Sequence, residues 1–354
     1  MKAVQTAVVG VTGYAGAELA RLLLHHPRLK GKAPVFAGRM DEKDAARGGV
    51  PLEEIHPQLA DNNGSHSLKI EPFSWEKLAE RGVEVLFLAT PHEQSRQWVP
   101  EALQHGIRVV DLSGAWRLTN AMNRAVYGFE DEGSEAAAAT QAKAVYGMPE
   151  LHRNEIAKAK LVANPGCYAT SVILAARPLV AAGIVDVSHG IVADAKSGVS
   201  GAGKAPTAKT HYMYAADNLS AYGVFSHRHT GELLEQIGIG ARDIVFTPHL
   251  LPIPRGILST IYLRFNAPET RESVARVYRE FFAGSPMVRV YENSLPQIQY
   301  SVRTSFADIG FQISSDGRRA VIVSCLDNLL KGASGQAVQN MNVMLGWGEA
   351  EGLA

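Results

Sequence analysis

The sequence has only two cysteines among its 354 residues, Cys167 and Cys325. They lie far apart and without Cys-x-x-Cys spacing, which argues against a disulfide scaffold and a cysteine-rich metal site. Unpaired cysteines are typical of proteins in a reducing cytosol. We therefore expect a cytoplasmic protein that holds no metal.

A charge excess of either sign is also absent, because 35 Lys and Arg residues balance 35 Asp and Glu residues. This balance predicts neither a nucleic-acid partner nor an acidic membrane surface. No apolar stretch reaches the roughly 20 residues that a membrane-spanning helix needs. The expected partners are small molecules and further copies of the chain.

Apolar runs of strand length alternate with helical patterns up to about residue 164, as in "VQTAVVG", "APVFAG" and "VEVLFLAT". This alternation predicts an α/β fold with a Rossmann-type doubly wound parallel sheet. After Cys167 the strands are many and the helices few, which predicts an α+β domain with a mostly antiparallel sheet.

Three glycines, Gly10, Gly13 and Gly16, directly follow the first strand and open a helix in "VVGVTGYAGAELARLL". Bare backbone at a helix N-terminus lets a pyrophosphate approach the N–H groups, so we predict a dinucleotide site. Arg39 follows the second strand, where an acidic residue usually holds a ribose hydroxyl. An arginine there favours NADP, with Asp41 as an alternative ribose ligand.

Cys167 lies in "NPGCYATS", after a turn signal and at the start of a helical stretch. Free N–H groups and the helix dipole lower the pKa of a thiol at this place, so Cys167 is predicted to be a nucleophile. Asn164 helps to fix the turn. Cys325 lies in an apolar strand and is interpreted as core packing.

A nucleophilic thiol needs a base, and "SHRHTGELLEQ" offers His227 and His229. A His-x-His spacing also suits zinc, but no third ligand is evident. The loop "SGVSGAGKA" that starts at Ser197 can supply backbone amides and hydroxyls to an acyl phosphate. A dinucleotide site combined with a thiolate favours redox chemistry on an acyl phosphate or an aldehyde.

Five segments together resemble the N-acetyl-gamma-glutamyl-phosphate reductases, NADP-dependent enzymes of arginine biosynthesis related to aspartate-semialdehyde dehydrogenase. They are "GVTGYAGAELARLL", "NPGCYATS", "KSGVSGAGK", "HLLPIPRGIL" and "DNLLKGASGQAVQNMN". The resemblance implies that Cys167 displaces phosphate from N-acetylglutamyl 5-phosphate and that NADPH reduces the thioester to the semialdehyde. It favours His229 as the acid/base, with His227 in reserve.

The resemblance also implies roles for residues of these and neighbouring motifs. The expected substrate-binding residues are Ser113, Arg117, Asn164, Ser197 and Arg255. The expected cofactor-binding residues are Gly10, Thr12, Gly13, Tyr14, Gly16, Arg39, Gly198 and Asn328. The NADP-binding domain is expected to comprise residues 1–164 and 328–354, and the catalytic and oligomerisation domain residues 165–327, in a homodimer or homotetramer.

Two departures from the family pattern stand beside the catalytic motifs. Gly231 replaces the usual proline after His-Thr, and Gly114-Ala115-Trp116 replaces Ala-Asp-Phe, so Trp116 is expected to affect which acyl chain fits. Two alternatives remain open on sequence alone. One is the same chemistry on a carrier-bound aminoadipyl phosphate of lysine biosynthesis, and the other is a non-catalytic NADP-binding regulator.

Overall fold

A computed structural model describes residues 4–60 and 68–353 of the chain. Within these ranges, eight strands form the first sheet. They are β1 (Thr6–Val9), β2 (Val35–Gly38), β3 (Val50–Pro51), β4 (Lys69–Pro72), β5 (Val85–Leu88), β6 (Arg108–Asp111), β7 (Ala144–Tyr146) and β8 (Leu161–Ala163). Their spatial order is β3-β4-β2-β1-β5-β6-β8-β7, and only the β3/β4 pair is antiparallel.

Helices connect these strands and cover both faces of the sheet. They are α1 (Tyr14–Leu24), α2 (Glu42–Ala46), α3 (Leu52–Ile55), α4 (Trp75–Glu80), α5 (His92–Gln104), α6 (Ala121–Arg124), α7 (Glu135–Gln141) and α8 (Pro149–Ile156). The strand order reverses beside β1, between β2 and β5, and in such sheets ligands bind outside the carboxyl ends of the strands at this point. The predicted Rossmann-type doubly wound sheet is confirmed.

The second half of the chain opens with helix α9 (Cys167–Ala181) and builds a seven-stranded sheet in the described part. Its elements are β9 (Ile191–Gly198), α10 (Tyr212–Ala215), β10 (Ser220–Ala221), α11 (Thr230–Ile237), β11 (Ile244–Leu251), β12 (Ile257–Arg264), α12 (Arg271–Phe281), β13 (Val288–Tyr291), α13 (Ile298–Ser301), β14 (Ala307–Ile313) and β15 (Arg319–Leu326). The order is β10-β11-β9-β12-β15-β14-β13, with parallel pairing only at β11/β9 and β13/β14. The predicted, mostly antiparallel sheet is therefore confirmed.

Helix α9 is buried along most of its length and packs against β12 and β15. Along β12, side chains alternate between the core and the opposite face, as the pleat of a half-covered sheet requires. On that opposite face Val192, Val245 and Tyr262 are exposed. The second sheet thus has one face on its own core and an opposite face that the described chain leaves uncovered, where exposed apolar side chains stand among polar ones.

The C-terminal segment returns to the first sheet. After a π-helical turn (Leu330–Ser334), helix α14 (Gly335–Met344) packs on α1 and α8, and Met341 shares a hydrophobic cluster with Val8 and Leu19. This packing supports our division of the chain into 1–164 with 328–354 and 165–327, although residues 1–3, 61–67 and 354 lie outside the described ranges. The division stays a proposal.

A buried ion pair anchors this segment. The Lys331 ammonium donates to Glu150 Oε1 and to Gln339 Oε1, each at 2.6 Å, and neither charged side chain is exposed. The ion pair holds the pKa of Glu150 below its ordinary value against the opposing effect of burial. Breaking a buried pair leaves an uncompensated charge, so each partner depends on the other.

We predict that Lys331→Ala lowers the free energy of unfolding by about 3–5 kcal/mol, because Glu150 is left buried and unpaired. The double variant Glu150→Leu, Lys331→Met removes both charges and is expected to recover most of that loss. Urea unfolding followed by circular dichroism measures both. A Lys331→Ala variant within about 1 kcal/mol of the natural protein would contradict the prediction.

Candidate active site

The glycine loop closes the end of β1 against the neighbouring strand. Gly10 has φ +91°, and a Cβ added there would lie 2.2 Å from the Ala89 carbonyl oxygen. A Cβ on Gly16 would lie 2.2 Å from the Gly10 carbonyl oxygen, whereas one on Gly13 would meet nothing closer than 3.7 Å. The first and third glycines therefore permit the tight turn, and the second leaves the helix entrance open.

A cleft of about 490 Å³ lies over this loop, at the carboxyl ends of β1, β2 and β5. Thr12, Gly13, Arg39 and Asp41 contribute to its lining. Helix α1 has no side-chain N-cap and no acidic residue in its first turn, so its N–H groups remain for an anionic ligand. This cradle fits the pyrophosphate of a dinucleotide.

Arg39 follows β2 at the cleft, where its guanidinium donates to the Gln94 side-chain oxygen. The Asp41 carboxylate is already engaged, because it accepts the Asp44 N–H as the N-cap of α2. The cleft therefore has a cation after its second strand, and the contact of Arg39 with a 2′-phosphate stays a prediction. Tyr14 begins α1 with 43% of its surface exposed and does not line the cleft.

Cys167 is the first residue of α9, after the turn that follows β8, and its side chain is half-buried. It lines a second cavity, of about 680 Å³, between the two sheets. The other residues of that cavity with reactive or polar side chains are His92, Arg117, Tyr127, Tyr168, Ser197, Thr207, Lys209, Thr210, Tyr214, Ser220, Tyr222, His227, Arg228 and His229. The structure thus brings the predicted nucleophile and both predicted bases together.

The His229 ring packs over the residue before the cysteine. A Cβ added at Gly166 would lie 2.3 Å from His229 Nε2, so only glycine leaves room for the imidazole there. His229 Nδ1 is buried and has no hydrogen-bond partner in the described structure. His227 is held differently, because its Nδ1 accepts the His229 backbone N–H at 3.1 Å. This geometry favours His229 as the acid/base, with His227 supporting its backbone.

Cys167 and His229 are both neutral in the resting site. Burial raises the pKa of Cys167 to about 11, outweighing the Tyr168 backbone N–H and the Arg117 charge, which lower it. Burial also holds the pKa of His229 well below its ordinary value, helped by His227 and Arg117. The helix start lowers the thiol pKa as expected, but the expected net lowering was wrong, because desolvation of the thiolate outweighs the helix terminus.

Glu232 on α11 is the central carboxylate of the site, and the sequence reasoning missed it. Its side chain is fully buried and accepts the Gly166 N–H at 2.9 Å, the Tyr146 hydroxyl at 2.7 Å and Arg117 Nη1 at 3.2 Å. Its position three residues after His229, the N-cap of α11, brings both side chains to one side of the start of that helix. The spacing of three residues between His229 and Glu232 was the sequence feature that could have identified Glu232 as part of the site.

Arg117 lines the cavity but all three guanidinium nitrogens have partners inside the protein. Nε donates to the Asn164 carbonyl at 2.7 Å, Nη1 to Glu232, and Nη2 to the Leu112 carbonyl at 2.8 Å. Asn164 is buried and bonds Ala333 through its side chain. These contacts hold the turn before Cys167, as predicted for Asn164, but they do not bring its side chain into the cavity.

Two further residues predicted to bind substrate, Ser113 and Arg255, do not line the Cys167 cavity. Ser113 is buried and donates to Asp111 at 2.8 Å, outside the cavity. Arg255 pairs with Glu18 at 2.5 Å and Asp327 at 3.0 Å, and it does not line the cavity either. The structure therefore does not bring Ser113 or Arg255 to a bound substrate.

Ser197 and Gly198, at the end of β9, do line the Cys167 cavity, so Gly198 lies on the substrate side rather than in the dinucleotide cleft. Asn328 accepts the Gly256 N–H at 2.8 Å and donates to Ser200 Oγ at 2.9 Å. It thus braces the loop after β9 and does not line the dinucleotide cleft.

The two departures noted in the sequence have structural explanations. Trp116 is buried beneath the Arg96 guanidinium, 4.3 Å from its ring centroid, and does not line the cavity. The expectation that it affects the acyl chain is therefore not supported. Gly231 faces Leu118, and an added Cβ would lie 2.9 Å from its Cδ1, so the close packing suits glycine.

Within 4–60 and 68–353, no three His, Cys, Asp or Glu side chains gather as a group that could hold a metal ion. Over the same residues, no helix combines the length and apolar character needed to cross a bilayer.

We predict that iodoacetamide labels Cys167 faster than Cys325, because Cys325 is fully buried and its pKa is raised to about 12. The Cys167 rate is expected to keep rising through pH 9, because its raised pKa leaves little thiolate below that pH. Peptide mass spectrometry after timed quenching measures both rates. A plateau near pH 7 would show a preformed thiolate instead.

We predict that Glu232→Gln speeds alkylation of Cys167 at pH 8, because the Glu232 charge raises the thiol pKa and the variant removes it. The same change leaves Arg117 buried without its counter-charge and is expected to cost about 3 kcal/mol of stability. Glu235→Gln, on the same helix but bonded to Thr119, is the matched control and should leave the alkylation rate unchanged. Equal rates in all three proteins would remove Glu232 from this role.

Comparison with known proteins gives consistent results across the whole chain. Residues 5–159 match the semialdehyde dehydrogenase NAD-binding domain, and residues 167–328 match the semialdehyde dehydrogenase dimerisation domain. A protein of Desulfotalea psychrophila named N-acetyl-gamma-glutamyl-phosphate reductase is 42% identical over 99% of this chain and 98% of its own length. A protein of the same name from Methanococcus maripaludis is 40% identical over 98% and 97%.

Solved structures support the fold. Aspartate semialdehyde dehydrogenase II of Vibrio cholerae, complexed with ASA, has a TM-score of 0.69 at 17% identity over 98% of this chain and 99% of its own. Aspartate semialdehyde dehydrogenase of Candida albicans, with NADP, has a TM-score of 0.66 at 15% identity over 98% and 99%.

Proposed function

The chain belongs to the semialdehyde dehydrogenase family, and from this premise we propose that it is an NADPH-dependent N-acetyl-gamma-glutamyl-phosphate reductase. It converts N-acetyl-L-glutamyl 5-phosphate to N-acetyl-L-glutamate 5-semialdehyde and phosphate, a step of arginine biosynthesis. The observation that carries this proposal is the meeting of Cys167 with His229 in one cavity beside a dinucleotide cleft. An enzyme is thereby favoured over a non-catalytic regulator, which needs no such pair.

In the first step His229 takes the Cys167 proton as the sulfur attacks the acyl carbon. A sulfur–carbon bond forms, the carbon–oxygen bond to phosphate breaks, and phosphate leaves with the electron pair. Because the pKa of Cys167 is raised to about 11 and that of His229 is lowered, proton transfer is unfavourable until the substrate is in place. The product of this step is a thioester on Cys167.

When bound in the cleft over the glycine loop, NADPH would supply a hydride to this thioester. The N-terminus of α9 has no side-chain cap, so its backbone N–H groups are available to the oxyanion that develops on the carbonyl oxygen. The oxyanion then collapses to the aldehyde as the carbon–sulfur bond breaks, and His229 returns its proton to the Cys167 sulfur. The aldehyde leaves. Cys167 is restored for the next turnover.

The glycine loop and its surroundings would hold the cofactor. Gly10 and Gly16 keep the loop tight, the open N-terminus of α1 at Gly13 would take the pyrophosphate, and Thr12 lines the same cleft. Arg39 is proposed to contact the 2′-phosphate that distinguishes NADP from NAD.

We further propose a homo-oligomer in the cytoplasm. The uncovered face of the second sheet exposes the apolar side chains of Val192, Val245 and Tyr262, which suits pairing with another copy, in keeping with the description of the matching domain as a dimerisation domain. Cys167 and Cys325 are both unpaired, as suits a reducing compartment.

We predict that the purified protein reduces NADP with N-acetylglutamate 5-semialdehyde, that this turnover requires inorganic phosphate, and that aspartate semialdehyde does not support it. Cys167→Ser should lower kcat by roughly 10³-fold or more, because the hydroxyl is a far weaker nucleophile. Cys325→Ser is the matched control and should retain activity. The reaction is followed by the absorbance of NADPH at about 340 nm, where the oxidised cofactor does not absorb.

Two results would overturn the proposal. Turnover that survives Cys167→Ser would remove the thioester route. Absence of turnover on the acetylated semialdehyde, with turnover on another acyl substrate, would place this chain at a different reaction of the same kind.

A further inference from the structure

The cavity that holds Cys167 has three cationic side chains and, among the residues the structure describes, no carboxylate in its lining. Arg117 is one, but its guanidinium is bonded on every nitrogen and its charge is matched by Glu232. Lys209 and Arg228 are exposed and form no ion pair with any described residue. The available positive charge of the cavity therefore lies on Lys209 and Arg228.

Arg228 meets the ring of His92 in an unusual way. His92 Nδ1 accepts the Gly114 backbone N–H at 2.8 Å, so this nitrogen carries no proton. The neutral ring must then carry its proton on Nε2. Arg228 Nη1 contacts that same nitrogen, so an N–H group of each residue faces the other with no acceptor between them.

Burial and the nearby Arg228 and Arg117 charges lower the pKa of His92 to about 4, so the ring stays neutral at physiological pH. The Arg228 guanidinium also lies 5.9 Å from the centroid of the Tyr127 ring. Apart from this contact with His92, the Arg228 guanidinium forms no hydrogen bond or ion pair with the described chain. An anionic oxygen beside the two donors would accept a hydrogen bond from each, and adjacent donors that lack an acceptor are typical of an anion-binding site.

We propose that Arg228 and His92 bind the phosphoryl group of the acyl phosphate. This inference rests on the proposed function. The phosphoryl group is attached to the carbon that Cys167 attacks, whereas the carboxylate of the substrate lies several bonds away. Arg228 immediately precedes His229, so it belongs to the reacting end of the cavity, while Lys209 lies on the loop after β9.

A guanidinium suits this task better than an ammonium. Its planar fork donates two parallel hydrogen bonds to phosphate oxygens, and its charge is not neutralised by a carboxylate. Since phosphate is also the group that departs, an exposed and unpaired arginine can follow it towards solvent. Arg228 thereby binds the substrate, as the family resemblance implied for Arg117 and Arg255.

The oxidative direction separates the two anions, because inorganic phosphate and the semialdehyde, which carries the carboxylate, are distinct substrates. We expect Arg228→Gln to raise the KM for phosphate ~10- to 100-fold, with the KM for the semialdehyde changed less than about twofold. Arg228→Lys should recover part of the loss, because it restores the charge without the fork. Arg242→Gln, an exposed arginine outside the cavity, is the matched control and should behave as the natural protein.

A measurement without turnover tests the same site. Inorganic phosphate is expected to protect Cys167 from iodoacetamide, and Arg228→Gln should raise the half-protecting concentration by the same factor. An unchanged phosphate KM, an effect confined to the semialdehyde, or no protection of the natural protein would each overturn the inference. A natural protein without turnover but with Arg228-dependent protection would instead refute the proposed reaction and leave the phosphate site standing.

Discussion

The rest of the site depends on the contacts of the buried Glu232 carboxylate. Removing such a charge from water costs several kcal/mol, and the structure offsets this with a guanidinium, a backbone N–H and a tyrosine hydroxyl. The three donors belong to separate segments, at Arg117, Gly166 and Tyr146. Because none of them contacts Glu232 unless the chain is fully folded, the turn before Cys167 takes its shape only together with the helix that follows His229.

The same burial sets the electrostatic character of the nucleophile. A helix N-terminus and Arg117 favour the thiolate, but Glu232 and above all desolvation favour the thiol, and desolvation is the largest effect. His229 is held neutral by the same loss of water. The thiol and the imidazole therefore form an unreactive pair until a substrate is bound, and an acyl phosphate supplies the developing negative charge that makes proton transfer to His229 favourable.

Local patterns in the sequence predicted those features whose causes are local. The glycine loop from Gly10 to Gly16, the turn before Cys167 and the His-x-His motif each act within a few residues, and the resemblance they supported is confirmed by full-length relatives. Long-range contacts were not predictable in this way. Arg255 pairs with Glu18, which is 237 positions away in the sequence, and no local pattern predicts this contact. The pKa of Cys167 was misjudged for the same reason, since burial depends on the whole fold.

Acceptors, rather than charge, decide what each arginine of the site does. Arg117 and Arg255 lie close to the catalytic segments, yet carbonyl and carboxylate oxygens of the protein already occupy them, so they hold the structure together. Arg228 faces a histidine N–H instead of an acceptor, and its hydrogen-bonding capacity remains unused in the described chain. The described lining of this cavity has no carboxylate, so the N–H donors of Arg228 gain acceptors only when an anion binds. The phosphoryl group of the substrate is such an anion, and the exposed position of Arg228 lets it reach that group.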